Sequence, residues 1–235
     1  MKKRVTAILP AAGIGRRFKL DGSKAFYPLG GKPLIVWSIK ALESVEEIEE
    51  IIPVLRKEDI RMGEEVFKKY NILKIKRIAT GGKERQDSVY NALKLINDKE
   101  CIVLIHDGVR PFIEKDLIEL MIKGLKGFDG VILGIPVKDT IKEVEGGIVK
   151  RTLDRNYIWA IQTPQVFVFK KLSEAYEMSL KDNFYSTDDS ALLERYGGKI
   201  KVIMGSYKNI KITTPEDMIF AEYLISKDNP NRYYS

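Results

Sequence analysis

The short apolar stretch Val5–Leu9 stops abruptly at Pro10-Ala11-Ala12-Gly13-Ile14-Gly15-Arg16-Arg17, and this junction constrains the fold more than any other part of the chain. A brief apolar run between a charged start and a glycine turn reads as a buried strand feeding a functional loop. The same pattern recurs at Ile51–Leu55, Lys74–Ala79, Cys101–Ile105 and Val131–Val137. Helical periods lie between these runs: from Pro33 with Ile35, Ile39 and Leu42, over Asp59–Tyr70, and over Arg85–Ile96. A further helix is expected over Glu114–Lys126, with Leu117, Leu120, Met121 and Gly124 on one face. Such alternation predicts a parallel sheet with crossover helices.

Beyond Lys138 the pattern changes. Charged and apolar residues alternate on either side of Gly146-Gly147 up to Arg155, which predicts an exposed β-hairpin arm. An isolated two-stranded arm is marginal in water, so it should pack on something, plausibly a second subunit. Trp159–Val168 then returns to the sheet. Helices are expected over Leu172–Leu180 and over Asp188–Tyr196, the latter capped by Thr187. Late strands are expected at Lys199–Met204 and Asn209–Thr213. Pro215 should open a last helix with Phe220, Tyr223 and Leu224 inward, before a frayed tail over Asp228–Ser235. The 235 residues suit one large domain.

The opening loop carries the first chemical signal. Its glycines allow successive backbone N–H groups to turn inward around an anion, and Arg16, Arg17 and Lys24 add cationic donors. This points to a bound nucleoside triphosphate. The stretch lacks the Gly-Lys-Ser/Thr of a Walker A loop and the third glycine of a dinucleotide fingerprint. A plain glycine turn on a basic surface is the alternative.

Other classes drop out on composition. Cys101 and His106 stand alone in their kinds, which excludes an internal disulfide and a Cys/His zinc cluster. No nucleophile elbow marks a Ser-His-Asp site. With one cysteine and one histidine, any metal chemistry must use carboxylates and favours Mg²⁺ or Mn²⁺. Asp107, at the end of the most apolar strand, is the metal candidate; the competing reading is a helix cap or a partner for Arg110. His106 reads as a hydrogen-bonded strand-end residue, Asp188-Asp189 as helix capping, and Cys101 as a small buried hydrophobe. A net charge of +7 fits phosphorylated partners. No basic block with interleaved aromatics marks a nucleic-acid surface, and no apolar run approaches the ~20 residues of a membrane span. A cytoplasmic protein is expected.

Seven ordered motifs then carry a resemblance: Pro10-Ala11-Ala12-Gly13-x-Gly15-Arg16-Arg17 with Lys24, Gly81-Gly82-x-x-Arg85-x-x-Ser88, His106-Asp107-x-x-Arg110-Pro111, Asp139-Thr140, Asp154-Arg155, Thr163-Pro164-Gln165 and Asn209-Ile210-Lys211. The set resembles the 2-C-methyl-D-erythritol 4-phosphate cytidylyltransferases of the non-mevalonate isoprenoid pathway. The resemblance implies an α/β, Rossmann-like nucleotidyltransferase fold with a mostly parallel central sheet, helices on both faces and a projecting arm. It implies a single domain over residues 1–235 and a homodimer whose arm, residues 138–155, completes the partner's acceptor site. Ala11, Ala12, Gly13 and Gly15 would bind CTP with Arg16, Gly82, Arg85 and Ser88. Arg17 and Lys24 would act on the phosphates, and Asp107 would serve Mg²⁺. Arg110, Thr140, Arg155, Thr163 and Lys211 would position methylerythritol 4-phosphate, with Arg155 and Lys211 also counted as catalytic. Two positions depart from the family: Ser23 where proline is common and Lys83 where an acidic residue is common. The closest rival is a pentitol-phosphate enzyme acting on ribitol 5-phosphate, although Asp154-Arg155 followed by Trp159 looks more like the methylerythritol family. A non-catalytic nucleotide- or RNA-binding module is the rival of another class.

Overall fold

The computed structural model describes residues 4–13 and 23–228. The opening strand, β1 (Val5–Pro10), lies inside a seven-stranded sheet. A two-stranded turn, β2 (Pro28–Leu29) and β3 (Lys32–Pro33), leads into α1 (Leu34–Glu43). Strand β4 (Ile48–Leu55), α2 (Ile60–Lys69), β5 (Ala79–Thr80) and α3 (Arg85–Leu93) follow. Then come β6 (Ile102–Ile105), α4 (Lys115–Gly124) and β7 (Gly130–Pro136). The arm is β8 (Lys142–Glu145) and β9 (Ile148–Thr152), after which β10 (Trp159–Val168) re-enters the sheet. Helices α5 (Phe169–Lys181) and α6 (Asp189–Arg195), strand β11 (Ile200–Met204) and α7 (Pro215–Asp228) complete the fold.

The strand order is β11-β7-β10-β6-β1-β4-β5. Strand β10 is antiparallel to both its neighbours, and the other pairings are parallel. The chain steps outward from β1 to β4 and β5, then returns to the other flank of β1 at β6. Strand order therefore reverses beside β1, where open α/β sheets form their ligand crevice. The apolar character of β1 follows from burial on both faces. Val5, Ala7 and Leu9 pack with Ile35, Ile39, Ile118 and Met121 from α1 and α4. Ile8 packs with Val89 and Leu93 of α3 and with Leu172 and Tyr176 of α5.

Several expectations need correction. Of Lys74–Ala79, only Ala79 pairs with β4 as strand, and Ile75 forms an isolated bridge to Ile51. Side chains hold that segment instead: Glu43 accepts from the Leu73 and Lys74 amides, and Arg77 binds Glu50 and the Leu95 carbonyl. Asn209–Thr213 is no strand but a strap, tied to the 109 loop by Ile212 N–H donating to Val109 O at 3.0 Å. In α4 the buried positions are Ile118 and Met121, whereas Leu120 is exposed. In α7, Met218 and Ala221 face inward, and Phe220 and Tyr223 are about half exposed. Asp217 sets that helix by accepting from Thr213 and Thr214. The cap of α6 is Asp188, which accepts from Ala191 N–H at 3.0 Å, rather than Thr187. Pro33 precedes α1 by one residue. The arm's two-residue turn matches expectation: Gly146 and Gly147 have φ of 57° and 81°, values that favour glycine. Gly15, Arg16, Arg17 and the tail over 229–235 lie outside the described residues.

Candidate functional site

The carboxyl ends of β1, β4, β5 and β6 open onto one cleft of about 620 Å³. Ala11 N–H donates to Val54 O at 2.9 Å, and Gly81 N–H to Leu55 O at 2.8 Å, so both loops leave the sheet side by side. A Cβ on Gly81 would lie 2.4 Å from the Ala12 Cβ, and one on Gly82 only 2.3 Å from that of Asp87. Glycine at 81 lets the second loop close against the first, and glycine at 82 lets it fold back against the first turn of α3. Ser88 shapes the same turn. Its hydroxyl accepts from Gly82 N–H and donates to Glu84 O, each at 3.0 Å. Ala11, Ala12, Gly13, Gly82 and Ser88 thus share one cleft wall, with Lys24 opposite in the turn Lys24–Phe26.

Asp107 stands at the tip of β6, with its carboxylate only 7% exposed. Lys211 Nζ approaches it at 2.8 Å, Arg85 at 3.4 Å and Arg110 at 3.6 Å. Burial alone would raise this carboxyl. The charges of Arg85, Lys211 and Arg110 overcome that effect and hold it well below the usual carboxylate range. Arg85 also reaches Asp189 at 2.8 Å, a carboxylate 1% exposed that accepts from Tyr176 Oη at 2.5 Å. Burial opposes the charge of Arg85, but Asp189 and Asp107 more than compensate and raise its pKa. Arg110 Nη1 donates to Asn209 O at 2.7 Å, which ties it to the strap that carries Lys211. One buried carboxylate therefore gathers three cations from three separate loops.

Behind Asp107, Thr163 and His106 form a brace. The Thr163 hydroxyl accepts from Asp107 N–H at 3.0 Å and lies 3.2 Å from His106 Nδ1. The Arg110 carbonyl, 3.0 Å from Nε2, can only accept, so the imidazole proton sits on Nε2 and the neutral ring's Nδ1 accepts from the Thr163 hydroxyl. Burial pushes His106 down to about 4, so it is neutral near pH 7; fully buried and with both ring nitrogens hydrogen-bonded, it presents neither to the cleft. A histidine whose folded pKa lies below its unfolded value stabilises above the unfolded pKa, and the benefit is lost as pH falls toward 4. Lowering the pH from 7 to 5 should therefore cost about 2 kcal/mol of unfolding free energy. Urea titrations at both pH values measure it, and His106→Asn should flatten most of the difference. A drop of under about 0.5 kcal/mol in the parent would show that the folded imidazole accepts its proton freely.

Not every expected site residue reaches the cleft. Thr140 and Arg155 are exposed on the arm, and Arg155 Nη1 donates to its own chain's Lys138 O at 2.7 Å. Thr163 is buried with its hydroxyl already committed. Asp188 and Asp189 are structural, one capping α6 and the other holding Arg85. Cys101 is buried, which pushes its thiol up to about 11. Arg56 and Lys57 line the cleft and had no role in the sequence reading, and Lys83, noted there only as a departure from the family, lines it too. A signal for the first two existed, since they directly follow the carboxyl end of β4. Among the described residues no three His, Cys, Asp or Glu side chains gather as a metal cage.

The family model described as IspD, 2-C-methyl-D-erythritol 4-phosphate cytidylyltransferase, matches residues 5–227. The cytidylyltransferase of that name from Clostridioides difficile (strain 630) is 47% identical over 225 residues, covering 95% of this chain and 94% of its own length. The crystal structure of 4-diphosphocytidyl-2C-methyl-D-erythritol synthase from Anaerococcus prevotii DSM 20548 superposes with a TM-score of 0.85 at 37% identity, covering 96% of this chain and 97% of the other. The Francisella tularensis structure of the same family gives 0.81 at 31% identity, covering 94% and 99%.

Proposed function

We infer the roles of the cleft residues from one premise: the chain belongs to the 2-C-methyl-D-erythritol 4-phosphate cytidylyltransferase family, and it transfers CMP from CTP to methylerythritol 4-phosphate. An acceptor phosphate oxygen attacks the α-phosphorus in line. The bond from that phosphorus to the bridging oxygen breaks, and pyrophosphate leaves. No covalent nucleophile is needed. The protein's work is to align two anions and neutralise their charge.

The loop from Ala11 to Gly15 cradles the triphosphate, with Gly82 and Ser88 shaping the pocket for the base. Lys24, together with Arg16 and Arg17, meets charge that builds on the phosphates in the transition state. Lys211 and Arg110 take the acceptor phosphate, and Arg85 keeps Asp107 in place between them. A divalent cation fits this donor set, because Mg²⁺ is commonly held by one or two carboxylates with substrate phosphates and water supplying the rest. Asp107 is the carboxylate that offers itself, and the ion, when bound, would neutralise phosphate charge. Thr140 and Arg155 reach the acceptor from the partner's arm in a homodimer. We read the chain as one cytoplasmic nucleotidyltransferase domain that binds neither nucleic acid nor membrane.

The observation that carries this reading is Asp107 at the strand tip with Lys211, Arg85 and Arg110 converging on it. The test is a panel of nucleotides and acceptors with Mg²⁺, scored by pyrophosphate release. CTP with methylerythritol 4-phosphate should turn over. Ribitol 5-phosphate should fall behind by roughly 10–100-fold in kcat/KM, the scale of one or two lost contacts. Equal rates with both acceptors would remove the substrate assignment, and the absence of turnover with any nucleotide would remove the enzyme.

A further inference from the structure

A second cavity, of about 740 Å³, lies away from the catalytic cleft, between the β2–β3 turn, the loop after Arg110 and the last turns of α7. Its walls present aromatic faces from Trp37, Phe112 and Tyr223. The indole is fixed, since Trp37 Nε1 donates to Leu29 O at 2.9 Å, and Lys32 Nζ stands 4.7 Å from its ring centroid. Lys208 and Lys227 line the same space, where Glu114 is the one carboxylate among the described lining residues. Apolar rings bordered by three ammonium groups and one carboxylate complement a small anion with an aromatic body.

The walls of this cavity also grip the catalytic loop. Ser38, next to Trp37, donates to Gly108 O or Arg110 O, each 3.2 Å away. Phe112 follows Arg110 by two residues. Lys208 precedes Asn209, whose carbonyl accepts from Arg110 and whose side-chain amide donates to Thr163 O at 2.9 Å. A ligand that shifts the walls at Trp37, Phe112 or Lys208 therefore acts on residues joined to the segments holding Asp107, Arg110 and Lys211. We propose that this cavity is a binding site for small aromatic anions, and that its occupancy alters the affinity for the acceptor phosphate. The binding half stands on the cavity alone, while the coupling half rests on the acceptor role assigned above to Arg110 and Lys211.

The probe is 8-anilinonaphthalene-1-sulfonate, titrated by fluorescence into the full chain without CTP. Saturable binding of one probe per chain is expected, with energy transfer from Trp37 that disappears in Trp37→Phe. Charge reversal by Lys32→Glu with Lys208→Glu should weaken the probe about tenfold or more while turnover without probe is unchanged. Methylerythritol 4-phosphate alone should shift the probe's affinity several-fold, and by linkage the probe must shift acceptor affinity by the same factor. Probe binding that survives charge reversal, or that CTP displaces competitively, overturns the site. Tighter probe binding after shortening the chain at Asp228 also overturns it, because the groove would then be the seat of the chain's own end. Binding that ignores the acceptor overturns the coupling. Failure of turnover in the acceptor panel leaves the binding measurement intact, so the two readings fail separately.

Discussion

Asp107→Asn should lower kcat on the order of 10²–10³-fold, the usual effect of removing one preorganised electrostatic group. The substitution keeps the shape and deletes the charge that gathers Lys211, Arg85 and Arg110. Arg85 retains Asp189, so its position should hold. Lys211 has no second ion pair among the described residues and is 40% exposed, so it should swing toward solvent. Arg110 stays tied to Asn209 but loses its one counter-charge among the described residues. The metal assignment adds a second measurement. If Asp107 holds the cation, the Mg²⁺ concentration for half-maximal rate should rise along with the loss in kcat. A loss in kcat at unchanged Mg²⁺ demand would make Asp107 a counter-ion only, and kcat within tenfold of the parent would remove it from the transition state.

The same cluster shows what could be read from the chain and what could not. The loops at Pro10–Gly13 and Asp107 were legible because each follows an apolar run, and Gly81-Gly82 because two glycines close a strand-like segment; strand ends in a parallel sheet point to one crevice. Asp189 was not. It pairs with Arg85 across 104 residues of sequence, while its near neighbours, a preceding threonine and a following apolar helix, describe only a cap. The local signal was correct for Asp188 and silent on the ion pair next door. A similar limit explains Lys74–Ala79, where alternating residues suggest a strand, yet Glu43, Glu50 and the Leu95 carbonyl, all distant in sequence, hold the segment through side chains. In α7, apolar residues occur around the whole helix, so periodicity alone could not choose Met218 and Ala221 over Phe220 and Tyr223.

With acceptor too dilute to saturate the Arg155→Ala variant, mixing Lys24→Ala and Arg155→Ala chains should restore activity if they pair as the proposed homodimer. Lys24→Ala disables the cleft of its own chain, and Arg155→Ala disables what the arm gives to the partner. The arm itself argues for a partner: every residue of β8 and β9 is exposed, and Val144, Ile148 and Val149 turn apolar surface to solvent. Two strands without a third are marginal in water. After subunit exchange, half of the dimers are mixed. In each of these, one site combines both lesions and the other has neither, so about a quarter of the parent rate should return under two-fold symmetry. The single variants should differ as well, with Lys24→Ala acting on kcat and Arg155→Ala mainly on the acceptor KM. No recovery, with exchange verified by mass-tagged chains, would mean that Arg155 serves its own chain. The arm would then have to fold back onto the cleft, and Arg155 would have to release the Lys138 carbonyl that it binds.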